Sequence, residues 1–307
     1  MKKKTIAFAG IIFIVSASIV SGYLYITKRN YSRITITIGS ADTPLTKVEI
    51  QGREFLLEVD SGSKFQLTLN KDILNNLEKN PCGTLQGRDA KGNSYDSPAY
   101  LVKKIKIGNH VFNDVVVKEV NDDYVSNTTL FINKTKNISS GRFGTVGRAL
   151  LEKMNLFFDF QNFVILESND IMNLKEAGYQ LENLVAVPFE MGRTGAILTV
   201  DTDLGKTRLS LDTGSTVSLI RSSLLQNNEP EKREYGLPCY NTSKFMIGNK
   251  DFGNMDLYLF DITSELHEID GILGMDFLRN HIFYINYQDK VIYIGDSTSQ
   301  TTAPDRI

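Results

Sequence analysis

Leu57-Glu58-Val59-Asp60-Ser61-Gly62-Ser63 returns 152 residues later as Leu209-Ser210-Leu211-Asp212-Thr213-Gly214-Ser215. In both copies a short, mostly apolar run ends in an aspartate, a small hydroxyl residue, a glycine and a serine. Two further blocks recur in the same order. Ile107-Gly108-Asn109 with Phe112 matches Ile247-Gly248-Asn249 with Phe252 at an offset of 140. Gly144-Thr145-Val146-Gly147-Arg148-Ala149-Leu150-Leu151 matches Gly271-Ile272-Leu273-Gly274-Met275-Asp276-Phe277-Leu278 at an offset of 127, and the match continues from 158–165 to 285–292. Three blocks in one order mark an internal duplication. The offsets fall, so the first half carries two insertions, of 12 and 13 residues.

Each half has the signature of β structure. Val48-Glu49-Ile50 and Phe55 to Val59 are short strands parted by the turn signal Gln51-Gly52-Arg53. Val115-Val116-Val117 and Phe157 to Phe160 are likewise rich in β-branched and aromatic residues. Helical signals are few and short, at 72–79, 149–154, 170–176 and 276–280. Many short strands with turn punctuation predict a barrel or sandwich in each half, an all-β molecule of two related lobes.

Composition narrows the function classes. The chain has 307 residues, 34 Lys+Arg against 36 Asp+Glu, and a hydrophobic fraction of 41%. That is enough apolar material for a substantial core and argues against wholesale disorder. A net charge of −2 gives no concentrated basic face for nucleic acid. Two cysteines cannot build a disulfide framework or a four-cysteine zinc site. His110, His267 and His281 stand far apart and form no zincin pattern, so a metal hydrolase is not expected.

At the amino terminus Lys2, Lys3 and Lys4 precede 22 uncharged residues, Thr5 to Ile26. Such a run can cross a hydrocarbon layer of roughly 30 Å as a helix. The basic cluster favours the cytoplasmic side, which places the rest of the chain beyond the membrane. A cleaved signal peptide competes with an anchor, because Ser16-Ala17-Ser18 and Ser21-Gly22 are small enough for a peptidase. The expected division is 1–32 for Lys cluster, anchor (5–26) and stalk, and 33–167 for the first lobe. A connection at 168–190, a second lobe at 191–296 and a polar tail at 297–307 follow.

The repeat carries chemistry. An aspartate at the end of an apolar strand, followed by a glycine, sits at a tight turn for which Gly62 or Gly214 supplies backbone freedom. Two-fold related halves would bring Asp60 and Asp212 face to face. Two carboxyls sharing one site do not both ionise readily, so they share a proton and can activate a water between them. Ser61 and Thr213 can hydrogen-bond across the axis, and the hydroxyls of Ser63 and Ser215 can donate to the outer carboxylate oxygens. That donation predicts a low first ionisation and activity in mild acid. Taken singly, each Asp-Ser/Thr-Gly is ordinary turn chemistry; paired in matching repeats, the two point to a dyad.

On Asp60-Ser61-Gly62-Ser63, Asp212-Thr213-Gly214-Ser215, Val146-Gly147-Arg148 and Ile272-Leu273-Gly274, the sequence resembles the aspartic proteases of the pepsin and retropepsin clan. The resemblance covers roughly residues 34–295 and implies two β-barrel lobes with a cleft between them. It implies an endopeptidase with Asp60 and Asp212 catalytic, a polypeptide substrate bound extended, and no metal or organic cofactor. Both lobes lie in one chain, which implies a monomer. It also implies a flap from the first lobe. Gly83 to Tyr100, with the polar tip Gly87-Arg88-Asp89-Ala90-Lys91-Gly92-Asn93, is the candidate, and Asp89 and Tyr95 are the candidate flap residues.

Other features have plainer readings. Arg148 is expected to be a structural ion-pair residue. Cys82 and Cys239 fall in roughly equivalent places of the two lobes, either bonded or free. The sequons at Asn127, Asn133 and Asn137 lie in a polar insertion, and 171–184 is expected to bridge the lobes. Two rival functions remain: a peptide-binding scaffold that has lost turnover, and a serine hydrolase. The latter lacks the Gly-x-Ser-x-Gly elbow.

Overall fold

The computed structural model describes residues 30–39, 42–88, 94–120, 143–225, 232–234, 236–261 and 267–297. The basic cluster and apolar run, the flap tip with Asp89, the sequon-bearing insertion and the polar tail lie outside the described residues. Among the described residues no helix is long and apolar enough to cross a membrane.

The described chain is almost entirely β, and each half repeats one strand plan. In the first, the strand Arg53–Asp60 runs parallel to Gly144–Gly147. Gly144–Gly147 in turn pairs antiparallel with Leu67–Asn70, which runs parallel to His110–Val120. In the second, Gly205–Leu211, Gly271–Leu273, Leu219–Arg221 and Met255–Phe260 repeat those three pairings in the same senses. Each aspartate therefore leaves its strand where three others converge. The loops closing this arrangement are crowded: a Cβ on Gly147 would overlap the Phe65 carbonyl, and one on Gly274 the Val217 carbonyl. That crowding explains the glycine after Val146 and after Leu273.

The expected turn at Gln51-Gly52 joins Pro44–Ile50 to Arg53–Asp60, with φ of 53° and 78°, the left-handed conformation that tight hairpins need. The expected helices shrink to single turns. Lys71–Asn75 is capped by the Asn70 side chain on Ile73 N at 3.0 Å, and Arg148–Leu151 and Met275–Leu278 follow the two glycines.

Between the lobes runs a shared antiparallel set of six strands. Its middle is Leu156–Asp159 paired with His281–Asn286, one strand from each half, in the register Phe157↔Tyr284 and Phe158↔Phe283. Val164–Glu167 and Ser32–Ile38 extend it on one side, Val291–Asp296 and Val185–Pro188 on the other. Both faces are buried, so Leu156, Phe157, Phe158 and Asp159 are all core residues. Phe158 and Phe283 stack with ring centroids 4.7 Å apart on the face toward the lobes. The segment expected to bridge the lobes forms 3₁₀ turns at Ile171–Lys175 and Leu181–Asn183. Its Leu174 and Tyr179 cover the opposite face, and Tyr179 Oη donates to the buried Asp159 at 2.8 Å.

Candidate active site

The two strand ends meet. Ser61 N donates to Thr213 Oγ1 at 3.0 Å and Thr213 N donates to Ser61 Oγ at 3.0 Å. Each hydroxyl passes its own proton to the opposite strand, Ser61 Oγ to Leu211 O at 3.1 Å and Thr213 Oγ1 to Val59 O at 2.6 Å. Both side chains are buried, so this four-bond lattice is dry and fixes one loop against the other. Only a short side chain with both a donor and an acceptor can fill either position.

Asp60 and Asp212 stand across this axis, each against the other loop's glycine. A Cβ on Gly62 would lie 2.5 Å from Asp212 Cγ, and one on Gly214 2.6 Å from Asp60 Cγ. Neither glycine has positive φ. The expectation that they supply backbone freedom is therefore corrected: they are glycine because the opposing carboxyl occupies the space of a side chain.

The carboxyls are held unequally. Asp60 Oδ1 accepts from Gly62 N at 3.0 Å and Ser63 N at 2.9 Å, and Asp212 Oδ1 accepts from Gly214 N at 2.8 Å. Burial, then the adjacent Asp60 charge, push the Asp212 carboxyl up to about 8, despite the Gly214 N–H that favours its anion. The expected hydroxyl donation is corrected at Ser215, whose Oγ donates to Val217 O at 2.7 Å rather than to the carboxylate. Without that donor, the pair retains its proton to higher pH than the sequence suggested.

A supporting layer lies beneath. Arg148 N donates to Ser63 O and Met275 N to Ser215 O, both at 2.8 Å, so the two lobes brace their loops alike. The second lobe adds a half-buried carboxylate that sequence reasoning missed. Asp276 accepts from Ser218 N at 2.8 Å and Ser218 Oγ at 2.7 Å, while Gly274 N donates to that same hydroxyl at 3.0 Å. An acidic residue inside the apolar block Met275 to Leu278 was the available signal. Arg148 is also corrected: rather than an ion pair, it caps two backbone carbonyls of the second lobe, Gly192 O at 3.1 Å and Arg193 O at 3.0 Å.

The hairpin Asn80–Arg88 and Ser94–Ile107 is the first-lobe insertion that sequence offsets predicted between Asp60 and Ile107. Its counterpart arms are Lys232–Glu234 and Leu237–Thr242. Tyr95 lies opposite Gly87, and its hydroxyl accepts from Lys118 Nζ at 3.0 Å. The same ammonium stands 4.4 Å from the Tyr95 ring centroid and 4.3 Å from that of Phe65. Burial, and then the neighbouring Lys64 charge, lower Lys118 to about 8. The cysteines are not equivalent: Cys239 faces Tyr258 as Ala99 faces Lys118, whereas Cys82 is exposed on the outer hairpin arm, and no disulfide joins them. Among the described residues no His, Cys, Asp and Glu group is arranged to hold a metal ion.

No protein-family model and no curated protein sequence matches the chain. Solved structures do. The aspartic proteinase from Irpex lacteus superposes with a TM-score of 0.57 at 14% identity, covering 90% of this chain and all of that one. The fold is pepsin-like. Conglutin gamma, a basic 7S globulin from lupine seeds, superposes equally well, with a TM-score of 0.57 at 10% identity, covering 88% of this chain and 95% of its own. One neighbour is a proteinase and the other a seed globulin, so architecture alone does not decide turnover and the site must.

Proposed function

We propose that the protein is an aspartic endopeptidase that hydrolyses extended polypeptides with a water activated between Asp60 and Asp212. The observation carrying this reading is the pair of carboxyls packed crosswise against Gly62 and Gly214, with one of them driven toward its protonated form. Asp60, with two N–H donors, is the better-stabilised anion and takes a proton from the water. Asp212, as the protonated partner, donates to the substrate carbonyl oxygen. The pair titrates as one unit, and the roles exchange when the tetrahedral intermediate collapses. The hairpin bearing Tyr95 is the flap that excludes water, and strand-like backbone pairing grips the substrate. The reading includes an amino-terminal anchor with the lobes on the non-cytoplasmic side, the protein acting as a monomer.

The test is incubation of the full-length protein with a random peptide library between pH 3.5 and 8, alongside Asp212→Asn and a pepstatin control. Cleavage abolished by both controls is expected. A well-folded protein that binds peptides without cutting them at any pH would instead be a binding scaffold.

A further inference from the structure

Lys118 is fully buried, an unusual fate for an ammonium. It lies on His110–Val120, paired with Thr68 on one side and Ala99 on the other. The second lobe shows that the fold does not require it. There Tyr258 takes the equivalent place, between Leu219 and Cys239, in a small apolar cluster with Val217. Val217 is the repeat partner of Phe65, five residues beyond its aspartate. The first lobe has thus replaced an apolar plug by a cation and surrounded it with two aromatic rings. One ring, Phe65, belongs to the loop that begins at Asp60; the other, Tyr95, belongs to the hairpin. Gly87 completes the cage, because a Cβ there would overlap both Lys118 Nζ and the Tyr95 ring.

We propose that Lys118 is a positioning residue which ties the hairpin to the loop of Asp60 by holding its ammonium between Phe65 and Tyr95. Ring faces attract a desolvated cation strongly, and the Tyr95 hydroxyl adds a directional bond. The hairpin therefore docks at one height above the aspartates rather than swinging about its base. Among the described residues, Lys64, whose charge opposes the ammonium, and the Tyr95 hydroxyl are titratable groups that face it. The consequence for turnover rests on the endopeptidase reading, whereas the tie itself can be measured without it.

The experiment compares full-length wild type, Lys118→Met and Lys118→Arg by hydrogen–deuterium exchange and by peptide hydrolysis. In Lys118→Met the amides of 83–88 and 94–99 are expected to exchange about 10-fold faster, with the interlobe strands unchanged. Its KM is expected to rise about 10-fold with a smaller change in kcat, while its melting temperature does not fall. Lys118→Arg, which keeps the charge, should stay near wild type in both readouts. Unchanged hairpin exchange in Lys118→Met would overturn the proposal, as would Lys118→Arg loosening the hairpin as much as Lys118→Met does. If wild type cleaves nothing, the endopeptidase reading falls and the exchange comparison still decides the tie.

Discussion

The Asp212 carboxyl and Gly62 fill adjoining space across the lobe interface, with 2.5 Å between Asp212 Cγ and the point where a Gly62 Cβ would stand. The obstruction is an atom from the other half of the chain. Gly62→Ala should therefore keep both lobes folded and displace the dyad. Overpacking of this kind costs about 1–3 kcal/mol. Hydrolysis should drop at least about 100-fold, since small misplacements of reacting groups carry penalties of that size. Circular dichroism together with turnover checks this; full activity would mean that the carboxyls do not work at this separation.

Thr213 offers a cleaner separation of shape from hydrogen bonding. Thr213→Val keeps the volume but strands Ser61 N–H and Val59 O in a buried site. Each unsatisfied group costs about 1–3 kcal/mol. Thr213→Ser retains both bonds and should lie within about 1 kcal/mol of wild type. Urea denaturation with equal slopes for the three proteins would show the difference as a shifted midpoint.

The raised Asp212 makes stability depend on pH in a definite sense. The folded protein binds that proton more tightly than the unfolded chain, whose aspartate titrates near about 4. The contribution is complete below that value and is lost as pH rises toward about 8. Asp212→Asn removes the penalty, so the variant should melt higher than wild type at pH 8 and show little advantage at pH 4. Each kcal/mol gained corresponds to about 2–4 °C in a protein of this size. Asp212→Asn being more stable than wild type at neutral pH is the outcome to look for in calorimetry.

Catalysis should follow the same proton. Because the dyad needs one shared proton, and the Asp212 side of it persists toward neutrality, peptide hydrolysis should continue to pH 7 and decline above it. A profile collapsing by pH 5 would show that Asp212 is less perturbed than its surroundings imply.

The sequence made some of this legible and hid the rest for a physical reason. Spacing alone revealed that Asp60 and Asp212 are partners, because a duplicated chain repeats its blocks in order. It also placed the hairpin, since a falling offset locates an insertion. What escaped were contacts made between the copies. Gly62 looked like a turn glycine because nothing local announces a carboxyl arriving 150 residues later. Ser215 looked like a carboxylate donor until its turn brought Val217 O closer. Lys118 stood inside Val115-Val116-Val117-Lys118-Glu119-Val120, an ordinary strand pattern by its neighbours. Its meaning comes from Phe65 and Tyr95, both distant in sequence.

The pairing of Leu156–Asp159 with His281–Asn286 has a consequence for any half of this chain on its own. A fragment stopping at Glu167 would carry its own dyad aspartate, hairpin and barrel, but Leu156–Asp159 would become an open edge with Phe158 uncovered. Antiparallel pairing is what a two-fold axis generates between identical strands, so that edge is complementary to itself. Two such fragments could close on each other as a homodimer, Phe157 meeting its own copy where Tyr284 now sits and Leu156 taking the place of Phe283 against Phe158. The seam that unites the lobes therefore has the form of a subunit interface, made permanent by a covalent connection.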